Sequence, residues 1–134
     1  MGRAELSEDL RRFILTSVPS VPYLEAILLL RTDPGLGWDV PRLAARLYVA
    51  ERQASEVLTA LATAGIARSE NHGDAVLFRY APASAELRER LDVLAQVYSA
   101  NLVGVTDLIH SRSDKRAQQF ANAFRLRKDS GKEG

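Results

Sequence analysis

The most constraining feature of the sequence is a change of hydrophobic period between Asp39 and Pro82. Up to Leu61 the apolar residues recur at the three- and four-residue spacing of amphipathic helices. From Ile66 to Tyr80 apolar and polar residues alternate, which predicts two short strands. The polar segment NHGD between them contains the Asn, Gly and Asp residues that tight hairpin turns favour. The chain is therefore predicted to place two helices directly before a small β-hairpin.

The two predicted helices are separated by only a short turn. Asp39 is a good N-cap for the first helix, and Pro41 fits its first turn because no intrahelical partner is lost there. The second helix begins at Glu51 and ends near Gly65, which suits a left-handed C-cap. Its predicted inner face consists of Ala54, Val57, Leu58 and Leu61. This spacing is typical of a helix-turn-helix, whose second helix can lie in a major groove while the first crosses the DNA backbone.

Helix, helix and hairpin in this order resemble the winged helix-turn-helix of bacterial MarR-type transcriptional regulators. The resemblance covers about residues 20–82. It rests on LAARLYVAERQASEVLTALATAGIARS for the helix pair and first wing strand, NHGD for the wing tip, and a short WDV strand before the pair. We therefore predict a mainly α fold with a small antiparallel β-hairpin, in which a winged helix-turn-helix is followed by a long C-terminal helix. The resemblance implies a DNA-binding transcriptional regulator that acts as a dimer.

The sequence departs from this pattern at two places in the helix pair. Tyr48 stands in the turn where such motifs often have glycine, and Ala50 stands where Ser or Thr would cap the second helix. The exposed positions of that helix would be Glu51, Arg52, Gln53, Ser55, Glu56 and Thr59. Two of these are acids, which repel phosphates unless a base amino group binds them.

The candidate DNA-binding residues form a small basic set. Arg52 and Gln53 would reach base edges with Ser55 beside them, and the remaining candidates would hold phosphates or lie at the wing. These remaining candidates are Arg42, Arg46, Arg68, His72 and Arg79. Because the set is small, a second function stays open: a winged-helix module for protein–protein interaction with little or no DNA binding.

The segments on either side of residues 20–82 are predicted to be helical. Residues 1–19 form an N-terminal helix with Leu6, Leu10, Phe13 and Ile14 on one face. Residues 83–112 form a long helix with Ser84 as its N-cap. Its apolar seam has the alternating spacing of a coiled coil and comprises Leu87, Leu91, Leu94, Tyr98, Asn101, Val105 and Leu108. Further apolar residues lie off this seam, so the helix is predicted to pack on its own domain, with or without an added dimer contact.

Residues 113–134 read as a basic amphipathic C-terminal helix and tail. The whole chain carries a net charge of +1, but residues 1–80 contain nine Arg and ten acids, whereas residues 111–134 contain seven Lys or Arg and three acids. This tail could bind a polyanion or be a solvated basic terminus. Phe120 and Phe124 share one face and would dock on the body, on a second subunit or in the groove of a protein partner.

Composition and motifs exclude several classes of protein. A length of 134 residues predicts one domain, and the absence of cysteine favours a cytoplasmic location. The longest apolar run, AILLL, is far below the roughly 18 residues of a membrane span, so no membrane partner is expected. His72 and His110 lack the HExxH spacing, and no P-loop, GxGxxG or GxSxG motif occurs. No enzymatic activity, cofactor or metal is therefore expected.

Overall fold

The computed structural model describes residues 7–111 of the chain. The elements in chain order are α1 (Glu8–Ser17), α2 (Val21–Thr32), α3 (Val40–Leu47), α4 (Glu51–Thr63), β1 (Ala67–His72), β2 (Ala75–Tyr80) and α5 (Ala85–Ala100). Residues 102–111 are also helical and are called α6. The predicted mainly helical fold with one antiparallel hairpin is confirmed. Leu6 and the predicted helix from residue 113, with Phe120 and Phe124, lie outside the described residues.

Four helices begin where the sequence supplies a capping side chain. The side-chain oxygens of Ser7, Ser20, Asp39 and Ser84 accept hydrogen bonds from backbone N–H groups three residues later, at 3.2, 3.3, 2.8 and 3.0 Å. Such caps contribute about 1 kcal/mol each. Helix α4 follows Ala50, which provides no side-chain cap. The predicted caps at Asp39 and Ser84 and the uncapped start of α4 are therefore confirmed.

The hydrophobic core is centred on α2, which is apolar on most of its surface. Leu24, Ile27 and Leu30 of this helix are completely buried. The predicted inner face of α4 is confirmed, since Ala54, Val57, Leu58 and Leu61 are all buried. Helix α1 adds Leu10, Phe13 and Ile14 to the same core. The helix-turn-helix pair thus stands on a packed core with one face of α4 left to solvent.

No single helix within residues 7–111 has the length and apolar composition to cross a membrane. Helices α1 and α2 meet that test only when they are taken together, and the chain bends by 107° between them.

The hairpin forms the predicted wing. Strands β1 and β2 pair antiparallel from Ala67 opposite Tyr80 to His72 opposite Ala75, so Gly73 and Asp74 form a two-residue loop. Gly73 has φ +64°, as the first position of a tight hairpin turn requires. The predicted WDV strand is reduced to one residue. Trp38 exchanges both backbone hydrogen bonds with Phe78, at 2.9 and 2.8 Å, and this bridge joins the wing to the segment before α3.

Gly65 sets the angle at which the chain leaves α4. Its φ of +77° is the left-handed conformation predicted for the end of this helix. A Cβ at this position would lie 3.2 Å from the Ala83 Cβ, closer than ordinary van der Waals contact. The Gly65 carbonyl also accepts a hydrogen bond from the Ala83 N–H at 2.8 Å. The α4–β1 corner is therefore held close to the segment that leads into α5.

The predicted continuous helix from Ser84 to Ser111 is wrong at Asn101, where the chain breaks. Helix α5 ends at Ala100, and Asn101 has the non-helical φ and ψ values of −144° and 63°. The Asn101 Oδ1 accepts a hydrogen bond from the Gly104 N–H at 3.0 Å and so caps α6. Asparagine competes with helical backbone bonding in this way because its short amide reaches nearby N–H groups. Asn101 is therefore a cap between two helices rather than a polar residue on a coiled-coil seam.

The apolar seam of this region packs within one chain. Leu91, Leu94 and Val105 are completely buried, and the other apolar seam residues, Leu87, Tyr98 and Leu108, are partly buried against the core. The predicted packing of this segment on its own domain is therefore confirmed. The completely buried residues cannot form the exposed part of a dimer surface. The exposed apolar residues lie off the seam and are Val93, Leu102 and Val103.

Candidate nucleic-acid interface

Helix α4 presents a polar face to solvent. Arg52, Gln53 and Ser55 are exposed on this face, as the helical spacing predicts, together with Glu51, Glu56 and Thr59. The opposite face is buried against α2 and α3. Because the inner face of α4 packs against α2 and α3, its exposed side chains project from a rigid support. A helix held in this way can enter a groove without loss of the core packing.

The turn between α3 and α4 contains an unusual backbone conformation. Tyr48 has φ 58° and ψ 45°, and no other non-glycine residue within residues 7–111 has a positive φ. The left-handed conformation costs an L-residue roughly 1–2 kcal/mol. The N–H groups of Tyr48 and Val49 both donate to the Ala44 carbonyl and close the turn. Tyr48 is 92% exposed.

The cations of the helix pair are all at the surface. Arg52 Nε lies 3.5 Å from Glu56 Oε1, and the two side chains are 93% and 68% exposed. Such a surface pair contributes only a few tenths of a kcal/mol, so Arg52 can leave it for a phosphate or a base. The Arg42 guanidinium lies 5.2 Å from the centroid of the Trp38 ring, in cation–π range. Arg46 is exposed near the end of α3.

The candidate residues of the wing are arranged differently, since two of them contact one carboxylate. The Glu70 Oε2 lies 3.2 Å from His72 Nε2 and 3.1 Å from Arg79 Nε. The hydrogen bond with His72, followed by that with Arg79, lowers the pKa of Glu70 below its ordinary value. Arg79 Nη1 also donates to the carbonyl of Gly35 in the segment between α2 and α3. Arg79 and His72 are therefore partners of Glu70, and Arg79 ties the wing to the body.

The predicted site residues thus fall into two groups. Those of the α3–α4 pair lie on two helices that pack against each other and remain exposed: Arg42, Arg46, Arg52, Gln53 and Ser55. Those of the wing share one face of the hairpin: Arg68, His72 and Arg79. In the wing group only Arg68 is exposed without a side-chain hydrogen bond or ion pair among the described residues.

Sequence reasoning did not identify Glu70 as the centre of the wing cluster. A usable signal was present, since residues two apart in a strand share a face and Glu70 and His72 are so placed. The two-residue loop then fixes the register that brings Leu77 opposite Glu70 and Arg79 opposite Arg68. Arg79 is thus diagonal to Glu70 on the same face, within reach of a long side chain.

The described residues contain no group of three or more His, Asp or Glu side chains that could hold a metal ion. The cleft at the base of the wing is open to solvent and has a volume of about 660 Å³. Arg68 and Arg88 supply its charged side chains, and Tyr80 forms part of its wall. The polar chemistry of residues 7–111 is therefore concentrated on surfaces rather than in an enclosed site.

Solved structures with the same fold include winged-helix proteins. HlyU from Vibrio cholerae is 17% identical with a TM-score of 0.53, over 71% of this chain and 99% of that one. The winged helix-turn-helix domain of Mb0332 from Mycobacterium bovis, described as homodimeric, DNA-binding and from a possible ArsR-family transcriptional regulator, is 19% identical. Its TM-score is 0.51, over 75% of this chain and 93% of that one.

A further solved structure, the MarR family transcription regulator SP03579, is 17% identical with a TM-score of 0.51, over 94% of this chain and 83% of that one. No protein-family model matches the chain, and no curated protein sequence matches it. At these identities the likeness establishes the fold. The chain has a winged helix-turn-helix fold resembling that of MarR-type regulators, as the order of helix pair and hairpin predicts.

Proposed function

We propose that the chain is a DNA-binding transcriptional regulator of winged-helix type that acts in the cytoplasm as a dimer. The observation that carries this proposal is the exposed face of α4, where Arg52, Gln53 and Ser55 project from a helix buried on its other side. The neighbour SP03579 is described as a transcription regulator, and the Mb0332 domain is described as DNA-binding, which supports the same function.

Helices α3 and α4 would make different contacts with DNA. Arg52 and Gln53 lie in the first turn of α4, where a recognition helix contacts base edges. Arginine pairs with guanine and glutamine with adenine through two hydrogen bonds each. Arg42 and Arg46 lie on α3, the helix that crosses the backbone, and would bind phosphates. Specificity would therefore come from α4 and much of the affinity from α3.

The wing would contribute mainly through Arg68. This residue is exposed on the charged face of the hairpin and would bind a phosphate beside the groove. Arg79 and His72 would act indirectly because both are held by Glu70. Loss of Arg79 is expected to weaken binding to every sequence by releasing the wing from Gly35.

The dimer would form through apolar side chains that are exposed within residues 7–111. Leu102 and Val103 at the start of α6 are 54% and 56% exposed, and Val93 on α5 is also exposed. The Mb0332 domain is described as homodimeric, which supports this assembly. A two-fold dimer would present two α4 helices to two half-sites of a palindromic operator.

A second function has its own supporting observation. The exposed face of α4 carries Glu51 and Glu56 beside Arg52, and Glu56 pairs with that arginine. A mixed, partly acidic face suits a protein partner better than phosphate, and the winged-helix fold serves both purposes. The alternative is therefore a winged-helix module for protein–protein interaction with little or no DNA binding.

Titration of a randomised pool of DNA duplexes at two salt concentrations tests the first function. Fluorescence anisotropy would measure affinity, and sequencing of the bound fraction would measure preference. Arg52→Ala should cost about 1–3 kcal/mol and relax the preference, whereas Arg46→Ala should weaken all sequences and lower the salt slope by about one. Arg11→Ala on α1 is the matched control, since Arg11 is exposed and lies outside the helix pair.

The same titration distinguishes the two functions. If neither the wild type nor the Glu51→Gln, Glu56→Gln double variant binds any duplex at low salt, DNA is not the partner. The protein-binding function would then replace the first one.

A further inference from the structure

Tyr48 is the residue that the folding of the chain explains least. Its left-handed backbone conformation suits glycine and is unfavourable for a bulky residue. The residue is 92% exposed, so burial does not compensate for that conformation. Within residues 7–111 the Tyr48 side chain has no hydrogen-bond, ion-pair or cation–π partner.

The conformation of Tyr48 is imposed by its turn rather than by its side chain. The Ala44 carbonyl accepts hydrogen bonds from the N–H groups of both Tyr48 and Val49, in the manner of helices that end with a left-handed residue. Leu47 and Val49 are half-buried against the core on either side. Glycine at residue 48 would satisfy the same turn at lower cost. The tyrosine ring therefore has no role in folding and is available to a molecule outside the chain.

The position of Tyr48 indicates which part of that molecule it meets. The residue lies between α3 and α4, two positions after Arg46 and four before Arg52, and both arginines are exposed. In the proposed function α3 crosses the DNA backbone and α4 enters the groove, so the turn between them borders the phosphates at the groove edge. Tyrosine hydroxyls are among the groups that donate hydrogen bonds to phosphate oxygens.

We infer that Tyr48 is a DNA-backbone contact whose hydroxyl donates a hydrogen bond to a phosphodiester oxygen beside the groove that α4 reads. This inference rests on the proposed function and adds a contact outside the basic residues. A phosphate contact carries no sequence information, so Tyr48 contributes equally to all duplexes. Because the hydroxyl is uncharged, it neutralises no phosphate and leaves the salt dependence of binding unchanged.

Two variants of Tyr48 test the inference. Tyr48→Phe removes only the hydroxyl, and Tyr48→Gly removes the ring and the unfavourable conformation together. Both should bind the randomised duplex pool about tenfold more weakly than the wild type, as expected for loss of a hydrogen bond to a charged group. The slope of log K against log salt should not change in either variant. Thermal unfolding should give Tyr48→Gly a midpoint no lower than that of the wild type.

Leu15→Ala is the control, because Leu15 is an exposed apolar residue on α1 with ordinary helical geometry. It should leave the affinity and the salt slope unchanged. Wild-type affinity in Tyr48→Phe overturns the role of the hydroxyl, and a lowered unfolding midpoint in Tyr48→Gly overturns the claim that folding does not need the ring.

The two proposals fail in different ways. If the wild type binds no duplex, both the proposed function and the proposed Tyr48 contact are wrong. If the wild type binds duplexes and both Tyr48 variants bind them with the same affinity, only the Tyr48 contact is wrong. Loss of a protein partner in Tyr48→Gly, with DNA binding intact, would assign the ring to that protein instead.

Discussion

Neutralising Glu56 tests directly whether α4 faces DNA. The Glu56 carboxylate lies 3.5 Å from the Arg52 guanidinium, four residues earlier on the same helix, and both side chains are mostly exposed. Exposed pairs with this spacing contribute about 0.3–0.5 kcal/mol. Glu56→Gln should therefore leave the fold intact and cost no more than about 0.5 kcal/mol of stability.

On a DNA surface the same substitution acts twice. It removes a negative charge that would face phosphates, and it releases Arg52 from its intrahelical partner. If the released Arg52 makes one added phosphate contact, the dependence of log K on log salt becomes steeper by about 0.9. Relative to about 1 M salt, this corresponds to about eightfold higher affinity at about 0.1 M salt. Affinity for the randomised duplex pool should therefore rise by up to about eightfold and lose the gain as salt increases.

Glu86→Gln provides the matched control on α5. Glu86 Oε1 lies 3.0 Å from Arg90 Nη2 in a pair with the same four-residue spacing and comparable exposure. Each substitution raises the net charge of the chain from +1 to +2, so general attraction to DNA increases equally. Fluorescence anisotropy across a salt series would compare the two variants. Equal affinities and slopes in Glu56→Gln and Glu86→Gln would refute the placement of α4 at the DNA.

Three further predictions concern stability and assembly. Gly73→Ala should destabilise the chain by about 1 kcal/mol in chemical denaturation, because the backbone there has a positive φ. Gly65→Ala should destabilise it more, because the added Cβ would also lie 3.2 Å from the Ala83 Cβ. Equal losses of stability would contradict the role of that contact. Glutamate at both Leu102 and Val103 should convert the proposed dimer into folded monomers in sedimentation, and a monomeric wild type at micromolar concentration would refute the dimer. Burial raises the pKa of Tyr80 above its ordinary 10.0, so the unfolded chain ionises first and the unfolding midpoint should fall as the pH rises above that value; Tyr80→Phe should reduce this alkaline loss.

The elements set by local chemistry could be predicted from the sequence. The Asp39 and Ser84 caps depend on a side chain and a backbone N–H three residues away, so the sequence contains both partners of each bond. The hairpin is equally local, because Gly73 supplies the positive φ and a two-residue loop fixes the register. These features together define the winged helix-turn-helix.

The break at Asn101 was missed because the apolar period continues across it. Tyr98 precedes the break and Val105 follows it at seam spacing, and both pack against the same core. The sequence did contain a signal for the break, because asparagine is a favoured N-cap residue and Gly104 follows Asn101 by three positions. In the structure a Cβ at residue 104 would come within 2.5 Å of the Asn101 amide, so the cap favours glycine there. Periodicity also cannot tell whether a stripe is covered by its own domain or by a second copy, because both bury the same residues.

The partners of the wing cations could not be predicted from local pattern. Arg79 was correctly located on the hairpin, but its hydrogen bond to Gly35 joins residues 44 positions apart. Such a contact depends on how the segment before α3 crosses the wing, which the Trp38–Phe78 bridge fixes only in the folded chain. Exposure of Arg42, Arg46 and Arg52, by contrast, follows from helical spacing alone.

Because Glu70 contacts both Arg79 and His72, the salt dependence of DNA binding is a quantitative test of which residues bind phosphates. With Arg79 and His72 held by Glu70, the residues proposed for phosphates are Arg42, Arg46 and Arg68. Three contacts at about 0.9 each predict a slope of log K against log salt near −3 for one chain, and near −5 for a dimer with both subunits bound.

If Arg79 also bound a phosphate, the slope would be steeper by about one per chain, and Arg79→Ala would reduce it. With Arg79 only holding the wing, Arg79→Ala should lower affinity by displacing Arg68, which lies opposite it on the hairpin. In a chain that already carries Arg68→Ala, Arg79→Ala should therefore leave the slope unchanged, whereas a direct Arg79 phosphate contact would reduce it by about one more. Glu70→Gln is the companion variant, since it releases Arg79 from its carboxylate without removing a cation. If Arg79→Ala reduces the slope further in the Arg68→Ala background, and Glu70→Gln leaves the affinity unchanged, Arg79 itself contacts the DNA.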